Sequence, residues 1–224
     1  MKIGLIGLPL TGKTTLFNLL TQTKAATGTF AAKAEANIGT ARVPDQRIEY
    51  LSGLYNPRKT IYAQIEFVDI AGLTATQEGQ KSGSAKFLND VRPCDALVHV
   101  IRAFDNPEVV RLDENSNPAK DLETVEMELL FADLELIERR IERIKTGKKI
   151  TKENAQELEI LERCYEALEA GSFMSDVSLS EEERTMLRNY AFLTEKPRLA
   201  VVNLDEQQFR SGDYPAKAEL QKLC

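Results

Sequence analysis

Apolar positions along the chain follow two different periods. Five short runs are dense in β-branched and aliphatic residues and bounded by turn or helix signals: Lys2 to Ile6, Ile38 to Val43, Ala63 to Val68, Ala96 to Arg102 and Arg198 to Asn203. Runs of this kind, separated by stretches of helical spacing, predict an α/β protein with a sheet flanked by helices. Two Gly-, Ala-, Ser- and Thr-rich stretches, Ala25 to Ala36 and Thr74 to Ser84, have weak periodicity and read as mobile loops.

The pattern changes after a polar, irregular segment, Pro107 to Pro118. From Lys120 onward Met127, Leu130, Leu134, Ile137, Ile141 and Ile144 recur at steps of three and four, which is a helix seam. Gly147 breaks it, a second seam follows through Leu158, Leu161, Tyr165 and Leu168, and Gly171 ends that helix. Ser180 with Glu183 forms a capping box for a third helix, expected to run to about Leu193. Lys196-Pro197 stops it and the sheet pattern resumes. The expected division is therefore an α/β domain of residues 1–119 and 196–224, interrupted by a helical insertion of residues 120–195. Packing of the two seams against each other in a hairpin is the expectation; an intermolecular coiled coil is the alternative.

Composition narrows the class. Apolar content of 42% and charged content of 29% over 224 residues suit a soluble globular chain with a sizeable core. A net charge of −6 argues against a chain that is basic overall, and nothing points to DNA. No apolar run is long enough to span a bilayer. The opening Met-Lys-Ile-Gly-Leu-Ile-Gly enters the strand pattern at once, so no signal peptide is expected. Cys94, Cys164 and Cys224 fit neither a zinc pattern nor a disulfide framework and suggest a reducing, cytoplasmic setting.

The chemistry concentrates at residues 7–14, Gly-Leu-Pro-Leu-Thr-Gly-Lys-Thr, which match the phosphate-binding loop G-x-x-x-x-G-K-[ST] between a strand and a helix. The backbone of Leu8, Pro9, Leu10, Thr11 and Gly12 would cradle phosphate oxygens at a helix N-terminus, together with Lys13, Thr14 and Thr15. Lys13 would reach the β- and γ-phosphates, and Thr14 would give its hydroxyl to Mg²⁺. A second motif, Asp69-Ile70-Ala71-Gly72, ends a strand. Asp69 suits a carboxylate that holds a Mg²⁺-bound water, and Gly72 suits a backbone N–H that meets the γ-phosphate. Lys13 and Gly72 are thus the candidate catalytic groups, with Thr14 and Asp69 the candidate metal ligands.

A third motif, Asn203-Leu204-Asp205-Glu206, stands where guanine readers carry N-K-x-D. Asn203, Leu204 and Glu206 would contact the base, while Asp205 is one residue early and should point elsewhere. Replacing the guanine-binding Asp by Glu and the stacking Lys by Leu argues against strict guanine selectivity, so the ligand is ATP or GTP. Leu73 stands where Ras-like enzymes place the glutamine that orients water; it cannot hydrogen-bond, so slow hydrolysis is expected.

Together these residues resemble the YchF family, Obg-like ATPases of the Obg-related P-loop GTPases. Further matches are Asp69 to Leu73, Phe87-Leu88, Cys94-Asp95, Arg102-Ala103-Phe104, Asn117-Pro118 with Asp121, Leu179 to Glu182, and Val43-Pro44-Asp45 with Arg47. The N-x-x-E base motif is that family's own departure and accompanies ATP binding there. The resemblance implies a cytoplasmic, ribosome-associated ATPase or GTPase with a coiled-coil insertion. It also implies a last G-domain strand and a TGS domain beyond residue 224, so the sequence reads as a piece of a longer protein. Departures mark a divergent member. Leu10 replaces a P-loop Asn that in related GTPases helps hold a monovalent cation, so potassium activation is not expected. Lys33 falls at the Mg²⁺-binding Thr of the first switch, with Thr27 and Thr29 the nearest hydroxyls, and Glu78 falls at a catalytic His. The sole histidine, His99, lies in an expected strand and reads as a packed residue.

Three functions remain on these grounds. A slow nucleotide-dependent switch acting in translation or stress response leads. A nucleotide-binding interaction module with little or no hydrolysis is the alternative, favoured by Leu10, Lys33 and Glu78. A nucleotide kinase is weaker, since no Arg-rich lid is evident.

Overall fold

A computed structural model describes residues 1–25, 36–71, 82–106, 109, 117–147 and 151–223. Most of the two stretches read as loops lies outside them, although the second gives way to helix at Ser82, two residues before its expected end. Five strands form one sheet in the order β2-β3-β1-β4-β5: β1 Lys2–Ile6, β2 Asn37–Arg42, β3 Gln64–Asp69, β4 Ala96–Arg102 and β5 Arg198–Asn203. The strands β3, β1, β4 and β5 run parallel, and β2 pairs antiparallel with β3. All five fall within a residue of their expected bounds. The helices α1 Lys13–Thr21, α2 Gln46–Tyr55 and α3 Ser82–Val91 lie between the first four strands. Helices α4 Pro118–Lys145, α5 Lys152–Glu169 and α6 Glu181–Leu187 precede β5, and α7 Glu206–Ser211 and α8 Lys217–Leu223 follow it. β1 has β3 on one side and β4 on the other, so the strand order reverses there, and the carboxyl end of β1 opens on the crevice where such sheets bind ligands.

The core explains the periodicity. Ile6, Val68, Ile70 and Leu97 of the sheet pack with Phe87 and Val91 of α3 and with Val125, Leu129 and Ala132 of α4. Further along α4, Ile137 and Ile144 pack with Ile160, Leu161, Cys164 and Leu168 of α5. One helix of 28 residues therefore has two working faces. Its first half covers the sheet and its second half pairs with α5, so the expected boundary between 119 and 120 runs through its first turn. Met127, placed on the seam by spacing, is on the exposed side. Asn117 starts the helix by accepting the Lys120 N–H at 3.0 Å, with Pro118 at the first helical position.

The third helix is shorter than its pattern suggests. The capping box of Ser180 and Glu183 is present, but α6 ends at Leu187 and a 3₁₀ turn reaches only Tyr190. Ala191 then adopts a left-handed conformation at φ 48°. Buried Asp133 of α4 explains why the helix cannot go on. It accepts the N–H groups of Leu193 at 3.0 Å and Thr194 at 2.8 Å, and the Thr194 hydroxyl at 2.8 Å. Those donors are claimed from outside the chain segment. Burial pushes the Asp133 carboxyl pKa up, and the three donors oppose that rise. Asp133→Ala would leave them unpaired in the core and should cost about 3 kcal/mol or more of unfolding free energy, read by urea denaturation. A loss below about 1 kcal/mol would show that the contact is not structurally important.

Candidate functional site

Between β1 and α1 the backbone takes the conformations that the glycine pattern demands. Gly7 and Gly12 have φ of 140° and 97°. A Cβ on Gly7 would lie 2.5 Å from the Val100 carbonyl oxygen, and one on Gly12 would lie 2.4 Å from the Asn203 amide nitrogen. Neither position has room for a side chain. Gly12 caps α1 without a side-chain hydrogen bond, so the first N–H groups of that helix remain directed at the crevice. Leu10 has φ of 62°, a left-handed conformation that disfavours a branched side chain.

The side chains converge on this loop. Lys13 is buried and donates from Nζ to the Leu8 carbonyl at 2.6 Å. Burial lowers its pKa from 10.5 to about 8, and the nearby Asp69 carboxylate opposes that fall. Thr14 donates its hydroxyl to Asp69 Oδ2 at 2.8 Å, bringing together the two groups assigned to Mg²⁺. Buried Thr11 donates to the Leu8 carbonyl at 3.1 Å, which tightens the loop. Pro9 and Thr15 lie within the loop and the first turn of α1. Asn203, at the end of β5, donates its amide to the Thr11 carbonyl at 3.0 Å across 192 residues of chain.

The rest of the base motif follows at the start of α7. Asp205 points elsewhere, as expected: it caps α7 by accepting the Gln208 N–H at 2.8 Å. Leu204 is half-buried between Asn203 and that cap. Glu206 is exposed and paired with Arg210 at 2.5 Å. Gly72, Leu73 and Glu78, like Thr27, Thr29 and Lys33, lie outside the described residues.

Two neighbours were not legible as site residues. Asn37, opposite Asp69 in the β2–β3 register, donates its amide to Asp69 Oδ2 at 3.0 Å. Its sequence signal is only its place at the start of a strand. His99 sits under the loop in central strand β4, buried as expected. Burial first, then the Lys13 and Arg198 charges, lowers its pKa to about 3, so it stays neutral at ordinary pH.

A strand-to-helix loop with left-handed glycines, a buried lysine and a Thr–Asp pair that links the following helix to the neighbouring strand β3 defines a P-loop nucleotide-binding domain of the GTPase type. A family described as 50S ribosome-binding GTPase matches residues 2–132, and the chain belongs to it. Within it the similarity is to YchF proteins. The ribosome-binding ATPase YchF of Haemophilus ducreyi is 39% identical over 217 residues, covering 95% of this chain and 59% of that one. The Bacillus subtilis protein of the same name is 38% identical over 208 residues, covering 92% and 57%. The solved Schizosaccharomyces pombe YchF GTPase superposes with a TM-score of 0.80 at 28% identity, covering 99% of this chain and 61% of that one. The YchF resemblance read from the motifs therefore holds, and the chain spans about three-fifths of the length of these relatives.

Two outcomes follow from the geometry. Relieving the left-handed Leu10 with Leu10→Asn should raise unfolding free energy by about 1 kcal/mol, seen as a higher thermal midpoint. No gain would mean that Leu10 packs well enough to offset its backbone. For Lys13 the sign is set by its lowered pKa. Between pH about 8 and 10.5 the unfolded chain holds a proton that the folded chain lacks, so the nucleotide-free fold should gain stability as pH rises through that window. Lys13→Met should flatten this part of the stability profile, and an unchanged profile would assign it to another group.

Proposed function

We propose that this chain is the nucleotide-binding and switching part of a ribosome-associated ATPase or GTPase working in the cytoplasm. The convergence of Lys13, Thr14, Asp69 and Asn203 on one glycine-shaped loop carries this reading. Thr14 and Asp69 fit Mg²⁺, since a hydroxyl and a carboxylate already share a hydrogen bond at the loop and both are oxygen donors of the kind that cation prefers. Bound there, Mg²⁺ would neutralise charge on the β- and γ-phosphates. Lys13 would exchange the Leu8 carbonyl for phosphate oxygens, whose negative charge favours its protonated form. Gly72 would offer its N–H to the γ-phosphate. The partner is taken from the relatives' printed names, and the nucleotide is ATP or GTP.

Base selection rests on Asn203, Leu204 and Glu206. Glu206 would have to swing from Arg210 toward the base, which costs little for an exposed pair. The helical segment 120–195 would act as an accessory module: α4 ties it to the sheet, and its outer half, the α4–α5 hairpin with α6, is free to meet a partner. Hydrolysis by the chain alone should be slow, because Leu73 cannot orient water, and single-turnover assays with and without ribosomes distinguish a switch from a simple binding module.

Lys13→Ala should weaken Mg·ATP binding by at least tenfold while the protein stays folded, since a hydrogen bond to a charged group is worth about 1.5–3 kcal/mol. Unchanged affinity by calorimetry would refute the site. Glu206→Asp should shift the ratio of ATP to GTP dissociation constants toward GTP, though incompletely, because Leu204 still cannot stack as a lysine would. A fixed ratio would remove Glu206 from the base-reading role.

A further inference from the structure

Among the described helices of eight residues or more whose burial is given, α2 packs least. It buries none of its ten residues. Its tyrosines are strongly exposed, Tyr50 at 71% and Tyr55 at 74%, and Leu51 and Leu54 stand beside them at 50% and 58%. Spacings of four place Tyr50 over Leu54 and Leu51 over Tyr55, so the four form one continuous face. Ile61, at 71% exposure, follows in the segment leading into β3. Scattered exposed apolar residues are ordinary, whereas a whole helix face left bare marks an interaction site.

The charge around this face is locally positive. The segment 42–62 carries Arg42, Arg47, Arg58 and Lys59 against Asp45 and Glu49, a local excess of two positive charges on a chain of net charge −6. Asp45 is engaged at the helix N-cap, where it accepts the Arg47 backbone N–H and holds the Arg47 guanidinium at 2.7 Å. Arg42 already stacks its guanidinium 3.3 Å over the Tyr62 ring, the geometry by which planar groups pack here. Beyond the helix, Arg58 and Lys59 are exposed. Exposed tyrosines followed by two exposed cations, Arg58 and Lys59, match single-stranded nucleic acid: bases stack on aromatic rings and phosphates meet the cations. An acidic protein partner would satisfy the cations but would leave the flat tyrosine faces without a preferred ligand.

We propose that the α2 face, with Arg58 and Lys59 at its edge, binds unpaired ribosomal RNA, two bases stacking on Tyr50 and Tyr55. The proposal rests on the ribosomal reading above and names the part of the chain that would touch the ribosome.

The test uses the whole chain, a fluorescein-labelled twelve-nucleotide single-stranded RNA, and purified large ribosomal subunits. Tyr50→Ala with Tyr55→Ala should weaken RNA binding by about tenfold or more, while Tyr50→Phe with Tyr55→Phe keeps it, since stacking needs only the ring. Arg58→Gln with Lys59→Gln should flatten the salt dependence by about 0.7 per lost phosphate contact. Mg·ATP affinity should be unchanged in all three, because none of these side chains belongs to the phosphate loop. RNA affinity that is absent in the wild type, or indifferent to the alanine pair, overturns the proposal. So does self-association of the wild type in sedimentation velocity that the alanine pair abolishes while RNA binding persists, which would give the face to a second copy. Co-sedimentation with large subunits separates the two layers. Subunit binding that ignores the alanine pair overturns this surface and leaves the ribosomal reading standing. RNA binding lost with the alanine pair, in a chain that never binds subunits, upholds the surface and removes the ribosomal reading.

Discussion

The amide of Asn203 resting on the Thr11 carbonyl is the contact on which the site depends. It joins the last strand of the sheet to the first loop of the chain, and it is made where Gly12 has no Cβ; a methyl group there would meet the amide at 2.4 Å. The loop's open shape is thus not a property of residues 7–14 alone. It needs β5 to return beside β4, and β5 is reached only after the chain has made its helical excursion. Formation of the phosphate site is therefore among the most non-local events in folding, and slow relative to the helices themselves.

That dependence gives the helical segment a structural role in the domain it interrupts. α4 supplies Val125, Leu129 and Ala132 to the core beneath the sheet, and its Asp133 fixes the backbone at Leu193 and Thr194, just before the chain enters β5. Lys196 then caps the end of α3, donating to the carbonyls of Arg92 at 3.0 Å and Cys94 at 2.6 Å. On the far side, Arg140 of α4 holds Glu157 of α5 at 2.6 Å, and the hydroxyl of Tyr190 donates to the same carboxylate. The hairpin and the return to β5 are consequently held at both ends.

The strands were legible because each is a compact β-branched run with clear stops, and the loop was legible because its chemistry demands fixed residue types at fixed spacing. The capping box at Ser180 and the hairpin seam from Leu130 to Ile144 were legible for similar local reasons. What escaped was set by partners far along the chain. The end of α6 depends on Asp133, some 60 residues earlier, and no local signal announces it. The first half of α4 changed faces because a sheet lies under it, which spacing alone cannot reveal. Asn37 carried no signal, since an asparagine at a strand start is usually a turn residue, and here it meets Asp69 across the β2–β3 pair.

Calorimetric titration of Mg·ATP and Mg·GTP into Asn203→Ala tests the central claim most directly. If Asn203 holds the loop in shape, the variant stays folded and loses both nucleotides together, by about tenfold or more, because losing a buried hydrogen bond to the loop costs about 1–3 kcal/mol. Undiminished affinity for both would show that residues 7–14 shape themselves. Loss of one nucleotide alone would leave Asn203 with its base-reading role only and the loop's geometry without the support assigned to it here.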